Sequence, residues 1–151
     1  MRTALEAREQ ILADLAIAIE QIAIAAACLG AAYELLDELT ADRLEAELFR
    51  PVQKAFGRAK RTHSQFAARV ALLGYEFEAP SAGLPSQGVK SFVERAVGAA
   101  GAGGGTVADL QDSMLPIEAG DPELRVGLAE VRELLDQVPG RAREFLRTLG
   151  R

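Results

Sequence analysis

The run Ile11-Leu12-Ala13-Asp14-Leu15-Ala16-Ile17-Ala18-Ile19-Glu20-Gln21-Ile22-Ala23-Ile24-Ala25-Ala26-Ala27-Cys28-Leu29-Gly30-Ala31-Ala32-Tyr33 is apolar at nearly every position. Ile11, Leu15, Ala18, Ile22, Ala25, Leu29 and Leu36 recur at helical spacing, which predicts a helix from about Thr3 to Glu38. Ile17, Ile24 and Cys28 fall on the opposite side, beside Glu20 and an alanine stripe of Ala16, Ala23, Ala27 and Ala31. A helix that is apolar all round is buried all round. The run is long enough for a membrane span. However, Asp14, Glu20 and Gln21 interrupt it, and an ionised carboxylate near mid-span costs about 2.5 kcal/mol or more. The expectation is therefore a buried helix in a protein with no membrane partner. In a small bundle each helix keeps one wet face, so the surplus apolar face points to a second copy of the chain, a homodimer. Exposed alanines as plain helix formers are the alternative.

Outward from this run the pattern stays helical. Thr40 reads as an N-cap, with Asp42 in the first turn, for a second helix to about Tyr75. Its apolar stripe is Phe49, Val52, Phe56, Ala59, Phe66, Ala67, Val70 and Leu73, and Pro51 should kink it. The short link to the first helix predicts an antiparallel hairpin. Residues 76–105 read as a crossover, with Pro80, Gly83 and Pro85 marking turns and Ser86 capping a short helix to about Ala100. The glycine-rich run of residues 99–105 reads as a flexible joint. No strand precedes them and no Gly-Lys-Ser/Thr ending follows, so they are not read as a phosphate cradle.

Thr106 and Asp109 read as a capping pair for a third helix to about Ala119, with Val107, Leu110, Met114 and Ile117 inward and Pro116 as a kink. Gly120 ends it, and Asp121-Pro122-Glu123 opens a fourth helix with cap, N1 proline and first-turn acid. Leu124, Leu128, Val131, Leu135, Val138, Ala142, Phe145 and Leu149 then alternate in steps of four and three, the seam of left-handed bundle packing, with Pro139 bending it. The fold expected is all-α: a single domain over residues 1–151, a four-helix bundle made of two hairpins joined by one long crossover.

Composition narrows the chemistry. One cysteine, Cys28, forms no internal disulfide, and with a single histidine, His63, it makes no Cys/His zinc site. The net charge of −5 argues against a nucleic-acid partner. The first ten residues carry no apolar signal core, and the expected location is cytoplasmic. His63 lies in the apolar stripe of the second helix, so a ring nitrogen needs a partner there; metal ligand, general base and plain core histidine are all open. Glu20 sits halfway along the first helix, at the level where a hairpin partner would carry His63, and a contact between the two would raise the histidine pKa. Arg58, Lys60 and Arg61 read as a solvated basic face, and Cys28 as a small core residue. No catalytic triad is recognisable.

The segment Ala18-Ile19-Glu20-Gln21-Ile22-Ala23-Ile24-Ala25-Ala26-Ala27 resembles the first helix of small bacterial ferritin-like proteins. Arg61-Thr62-His63-Ser64-Gln65-Phe66 with Leu72-Leu73-Gly74 resembles their second, and Glu118 to Arg125 with Phe145 to Gly150 resembles their third-to-fourth hairpin. The resemblance implies ferritin-like connectivity and, in active members, two metal ions held by one glutamate on each of two helices and a Glu-x-x-His pair on each of the others. Here Glu20 matches the first glutamate and His63 one histidine. Lys60 stands three before His63, the last helix has no histidine, and its inner seam offers Ala142, with Pro139 three residues earlier. Asp112 and Glu118 are the remaining acids that could face inward. The resemblance thus implies a ferritin-like bundle that lacks a complete di-metal site, is non-catalytic, carries no cofactor, and acts as a structural or interaction protein. The alternative is a metal-binding protein or oxidoreductase with iron, manganese or zinc at a reduced site of Glu20 and His63, completed by Asp112 or Glu118. A helical adaptor of other ancestry is the third possibility.

Overall fold

A computed structural model describes residues 3–149. It is all-α, with about 83% of these residues helical and four long helices packed as a bundle. Helix α1 spans Ala4–Glu34 and opens on Thr3, whose hydroxyl accepts from the Glu6 N–H while the Glu6 side chain accepts from the Thr3 N–H. This capping box satisfies two of the orphan donors at the helix start. By length and composition α1 is apolar enough to cross a membrane, but thirteen of its residues are buried inside the bundle.

The second helix begins earlier than Thr40. Asp37 is the N-cap of α2 (Glu38–Leu44), and its carboxylate accepts from the Thr40 N–H at 2.8 Å. That interaction holds the Asp37 carboxyl below its usual value. The expected kink at Pro51 is absorbed one turn earlier. A π turn over Glu45–Phe49, closed by Arg50 N–H to the Glu45 carbonyl, joins α2 to α3 (Arg50–Arg69). Proline at position 51 offers no N–H to the Glu47 carbonyl. Arg141, from the far end of the chain, donates to that carbonyl instead at 3.2 Å.

Helix α3 stops at Arg69, short of Tyr75. Ala71 takes φ +59°, Leu72 N–H reaches the Ala67 carbonyl and Ala71 N–H the Ala68 carbonyl. This is the paired-bond C-terminal motif that normally uses glycine at the left-handed position. Residues 73 and beyond leave the helix, so Leu73 is 89% exposed rather than part of the apolar stripe.

The largest departure is at the glycine run. Residues 99–105 form no joint: α4 runs unbroken over Val89–Asp112. Ser86 sits in the short 3-10 turn Pro85–Gln87, and Thr106 is interior, its hydroxyl donating to the Ala102 carbonyl. Five glycines cost a helix about 1 kcal/mol each relative to alanine. Burying Phe92, Val93, Val107 and Leu110 returns about 1.5–3 kcal/mol per side chain, which outweighs that cost. At Gly103 the missing side chain is also a packing requirement. A methyl there would sit 3.1 Å from Ile22 Cγ1 and 3.3 Å from the Ala18 carbonyl oxygen. The contact between α1 and α4 is the most extensive in the fold.

The third helix then breaks at Ser113 before α5 (Leu115–Ala119), which leaves Met114 and Ile117 exposed at 58% and 57% rather than inward. Gly120 (φ +65°) and the Asp121 cap open α6 (Pro122–Asp136) as expected. The chain bends at Gln137 into α7 (Val138–Leu149), and the seam from Leu124 to Phe145 stays buried through the bend.

Paired contacts set the directions. Leu12 lies at His63 and Gly30 at Phe49; Ile22 at Gly103 and Asp14 beside Leu110; Arg58 at Glu130 and Arg69 at Asp121; Gln111 at Arg132 and Gly104 at Leu135. Neighbours in the ring α1, α4, α6, α3 therefore run antiparallel, and α3 runs parallel to α4. A crossover along the bundle, residues 70–88, must link those two. It starts over the α1–α3 groove and reaches Ala82, whose carbonyl accepts from Arg95 of α4. It therefore passes over the outward side of α1. Part of the face the sequence leaves surplus is covered in the fold. Ala16, Ala23 and Cys28 are buried, Ile24, Ala27 and Ala31 are half-buried, and Ile17 keeps 51% exposure.

Two substitutions in α4 separate propensity from packing. Gly101→Ala and Gly105→Ala, with open space around the new methyl, should each raise stability by about 0.5–1 kcal/mol. Gly103→Ala should lower it despite the same propensity gain. Urea midpoints at unchanged m value read all three. Ala71→Gly should add about 1 kcal/mol by removing left-handed strain.

Candidate functional site

His63 is the one candidate that the bundle places in its interior. It is 1% exposed, on the side of α3 that faces α1, and its Nε2–H donates to the Leu12 carbonyl oxygen at 3.0 Å. Two aromatic rings from the strap close over it. Tyr75 lies 4.7 Å away between ring centroids at 66°, and Phe77 5.5 Å away at 88°, both edge-on arrangements. Burial lowers the His63 pKa from its usual 6.5, against a smaller upward pull from the Leu12 carbonyl. The imidazole is thus neutral and hydrogen-bonded, and it ties α1, α3 and the strap together.

The expected carboxylate partners are elsewhere. His63 is level with Leu12. Glu20 lies two turns further, about 12 Å along the axis at 1.5 Å per residue, and it is exposed. Asp112 at the end of α4 and Glu118 on α5 are exposed too. Among the described residues no group of three histidine, cysteine or acidic side chains is arranged to hold a metal ion. The interior of the seam, from Leu124 through Ala142, is apolar.

Charged groups bind the helices to one another. Arg69 makes a two-pronged contact with Asp121 at 2.7 and 2.9 Å and reaches Glu123 at 3.0 Å. Burial works to raise the Asp121 carboxyl, but the Arg69 hydrogen bond and the Leu124 N–H outweigh it and hold it below its usual value. The expected solvated basic face is partly structural. Arg58 pairs with Glu130 of α6, and Lys60 lies 4.3 Å above the Phe56 ring. Cys28 is fully buried, with its thiol pushed up by burial against a smaller pull from Arg95.

Next to His63 an open groove of about 750 Å³ is lined by Glu6, Glu9, Gln10, Leu12, Ala13, Leu72, Leu73 and Tyr75. Sequence reasoning missed its roof. Tyr75 and Phe77 are two aromatics at strand-like spacing within a turn-rich segment, and that pairing is the signal that the crossover lies against apolar surface. No family model, no curated protein and no solved structure matches the chain at a significant level.

The His63 environment makes an acid prediction. The folded state binds this proton less readily than the unfolded chain, so the contribution of His63 is complete above about pH 6.5 and is lost as the pH falls below it. The free energy of unfolding should fall between about pH 6.5 and 5 in the wild type and stay level in His63→Phe. Chemical denaturation across that range is the check.

Proposed function

We propose that the chain is a ferritin-like helical bundle without a complete di-metal site, acting as a structural or interaction protein rather than an enzyme. Two observations support the ferritin-like part. The helices form two antiparallel hairpins joined by one long crossover, so that the second and third long helices are parallel, the connectivity of ferritin-like bundles. A glutamate and a histidine also stand on the first and second long helices. The observation that carries the functional part is the state of that histidine. Its Nε2–H is committed to the Leu12 carbonyl, aromatic rings cover it, and Glu20, Asp112 and Glu118 face solvent. An oxygen-activating pair of metals needs several inward carboxylates, and the inner seam offers Ala142 and leucines instead.

The partner proposed is a second copy, seated on the part of the outward face of α1 that the fold leaves open, around Ile17. We place the protein in the cytoplasm, where a buried reduced Cys28 is at home.

Untagged protein incubated with iron(II), manganese(II) or zinc(II) and measured by mass spectrometry should carry far less than one metal per chain. Stoichiometric metal that disappears in both Glu20→Ala and His63→Ala would overturn the reading and restore the reduced metal site. In light scattering the wild type should run as a dimer and Ile17→Lys as a monomer. A wild-type monomer at micromolar concentration would sink the dimer.

A further inference from the structure

Between Leu73 and Leu84 the strap has no regular structure, yet it crosses from α3 to α4. Its ties to the bundle are few. Tyr75 and Phe77 rest on His63, Leu72 and Ala82 are half-buried against the core, and the Ala82 carbonyl accepts from Arg95 at 2.5 Å. Segments with few buried contacts and few backbone hydrogen bonds open before the rest of a fold. The first of these ties rests on the one histidine in the chain.

We propose that His63, Tyr75 and Phe77 form an acid-released latch: protonation of His63 lifts residues 72–84 off the groove between α1 and α3, while the four long helices stay packed. The chemistry of the pocket carries this. Imidazolium has two N–H donors, and Nε2–H already uses the Leu12 carbonyl. Among the described residues no carboxylate is hydrogen-bonded or ion-paired to the ring. On α1, Glu6 and Glu9 line the outer groove beside Tyr75, and Arg8, one turn before Leu12, is half-buried with its Nε unpartnered, a positive charge that adds nothing to hold an imidazolium. On α3, Lys60 lies over Phe56 and Arg61 is exposed. On the strap, Glu76 and Glu78 are exposed. From α6, Gly127 faces the neighbouring Thr62, and Glu130 is paired with Arg58. An imidazolium gains from aromatic faces, but less than the hydration it gives up by staying buried. Lifting the strap restores that water without breaking the α1–α4 or α3–α6 contacts. It also uncovers the groove along Leu12 and Ala13 of α1, so apolar surface grows as the pH falls. The latch does not depend on the proposed dimer; it rests on the reading that His63 holds no metal, and the metal content of the titrated sample tells a failure of that reading from a failure of the latch.

Each pH unit below about 6.5 should raise the ratio of lifted to seated strap by up to tenfold. The single histidine gives one imidazole Hε1 signal, so a proton NMR titration from about pH 7.5 to 5 follows it directly. The expected result is that the ring signals of Phe77, and of Tyr75, which is 47% exposed even when seated, lose the shift imposed by their packing on the His63 ring with the midpoint of Hε1, while those of Phe66 and Phe145 do not move. In His63→Gln, whose amide can still donate to Leu12, the Tyr75 and Phe77 signals should stay fixed over the same range. The proposal fails if His63 titrates while both rings stay seated. It fails equally if His63 does not titrate above pH 5, if the core rings move with the strap, or if the strap lifts in His63→Gln at the same pH.

Discussion

The close approach of α1 and α4 around Gly103 is the contact on which the rest of the structure depends. Backbone meets side chain there, with the Ala18 carbonyl and Ile22 against a position where even a methyl is crowded. Small residues along both helices, Ala18 and Ala25 on one and Ala96, Ala99 and Ala100 on the other, keep the pair near over their length. Dispersion energy falls steeply with separation, so a gap of half an ångström along this pair would forfeit much of its attraction. The rest follows in order. With α1 and α4 antiparallel and α1 and α3 antiparallel, α3 and α4 are parallel, and the chain between them must travel the length of the bundle.

That journey creates the strap, and the strap gives His63 its environment. Polar groups left over by the fold are then satisfied at particular points. The carbonyl that Pro51 cannot serve is met by Arg141. The start of α6 is met by the Asp121 carboxylate, itself gripped by Arg69 at the end of α3. Arg43 lies 5.5 Å above the Phe145 ring and donates to Thr148, which fixes α7 across α2. Each tie joins segments far apart in sequence.

Much of this was legible in the residues. The apolar periodicity of 11–33, the Asp121-Pro122-Glu123 start and the four-three seam of the last helix mark the all-α bundle and its two hairpins. The glycine run was misread because local propensity and tertiary packing oppose each other there, and a propensity scale sees only the first. Thr40 and Thr106 look like caps by residue type, but caps are decided by which neighbour supplies the better acceptor, Asp37 in one case, and by whether the helix has already begun in the other. The inward position of His63 was readable from Phe56, Ala59, Phe66 and Val70. Its level against α1 was not, because the π turn and the Asp37 cap shift the register of the hairpin, and so Glu20 lies two turns away. The surplus face of α1 was read as the seat of a second copy; the crossover was not placed, because a strap without helical periodicity leaves no sign of where it will lie.

Native-state hydrogen exchange at the amides of residues 99–107 tests the α1–α4 contact most directly. The account predicts slow exchange there, in the class of Leu15 to Ile22, because unwinding the glycine segment would open the main interface of the bundle. Exchange within seconds, at the rate of residues 73–83, would mean that the segment is the flexible joint its composition suggests, and the packing argument built on Gly103 would fall.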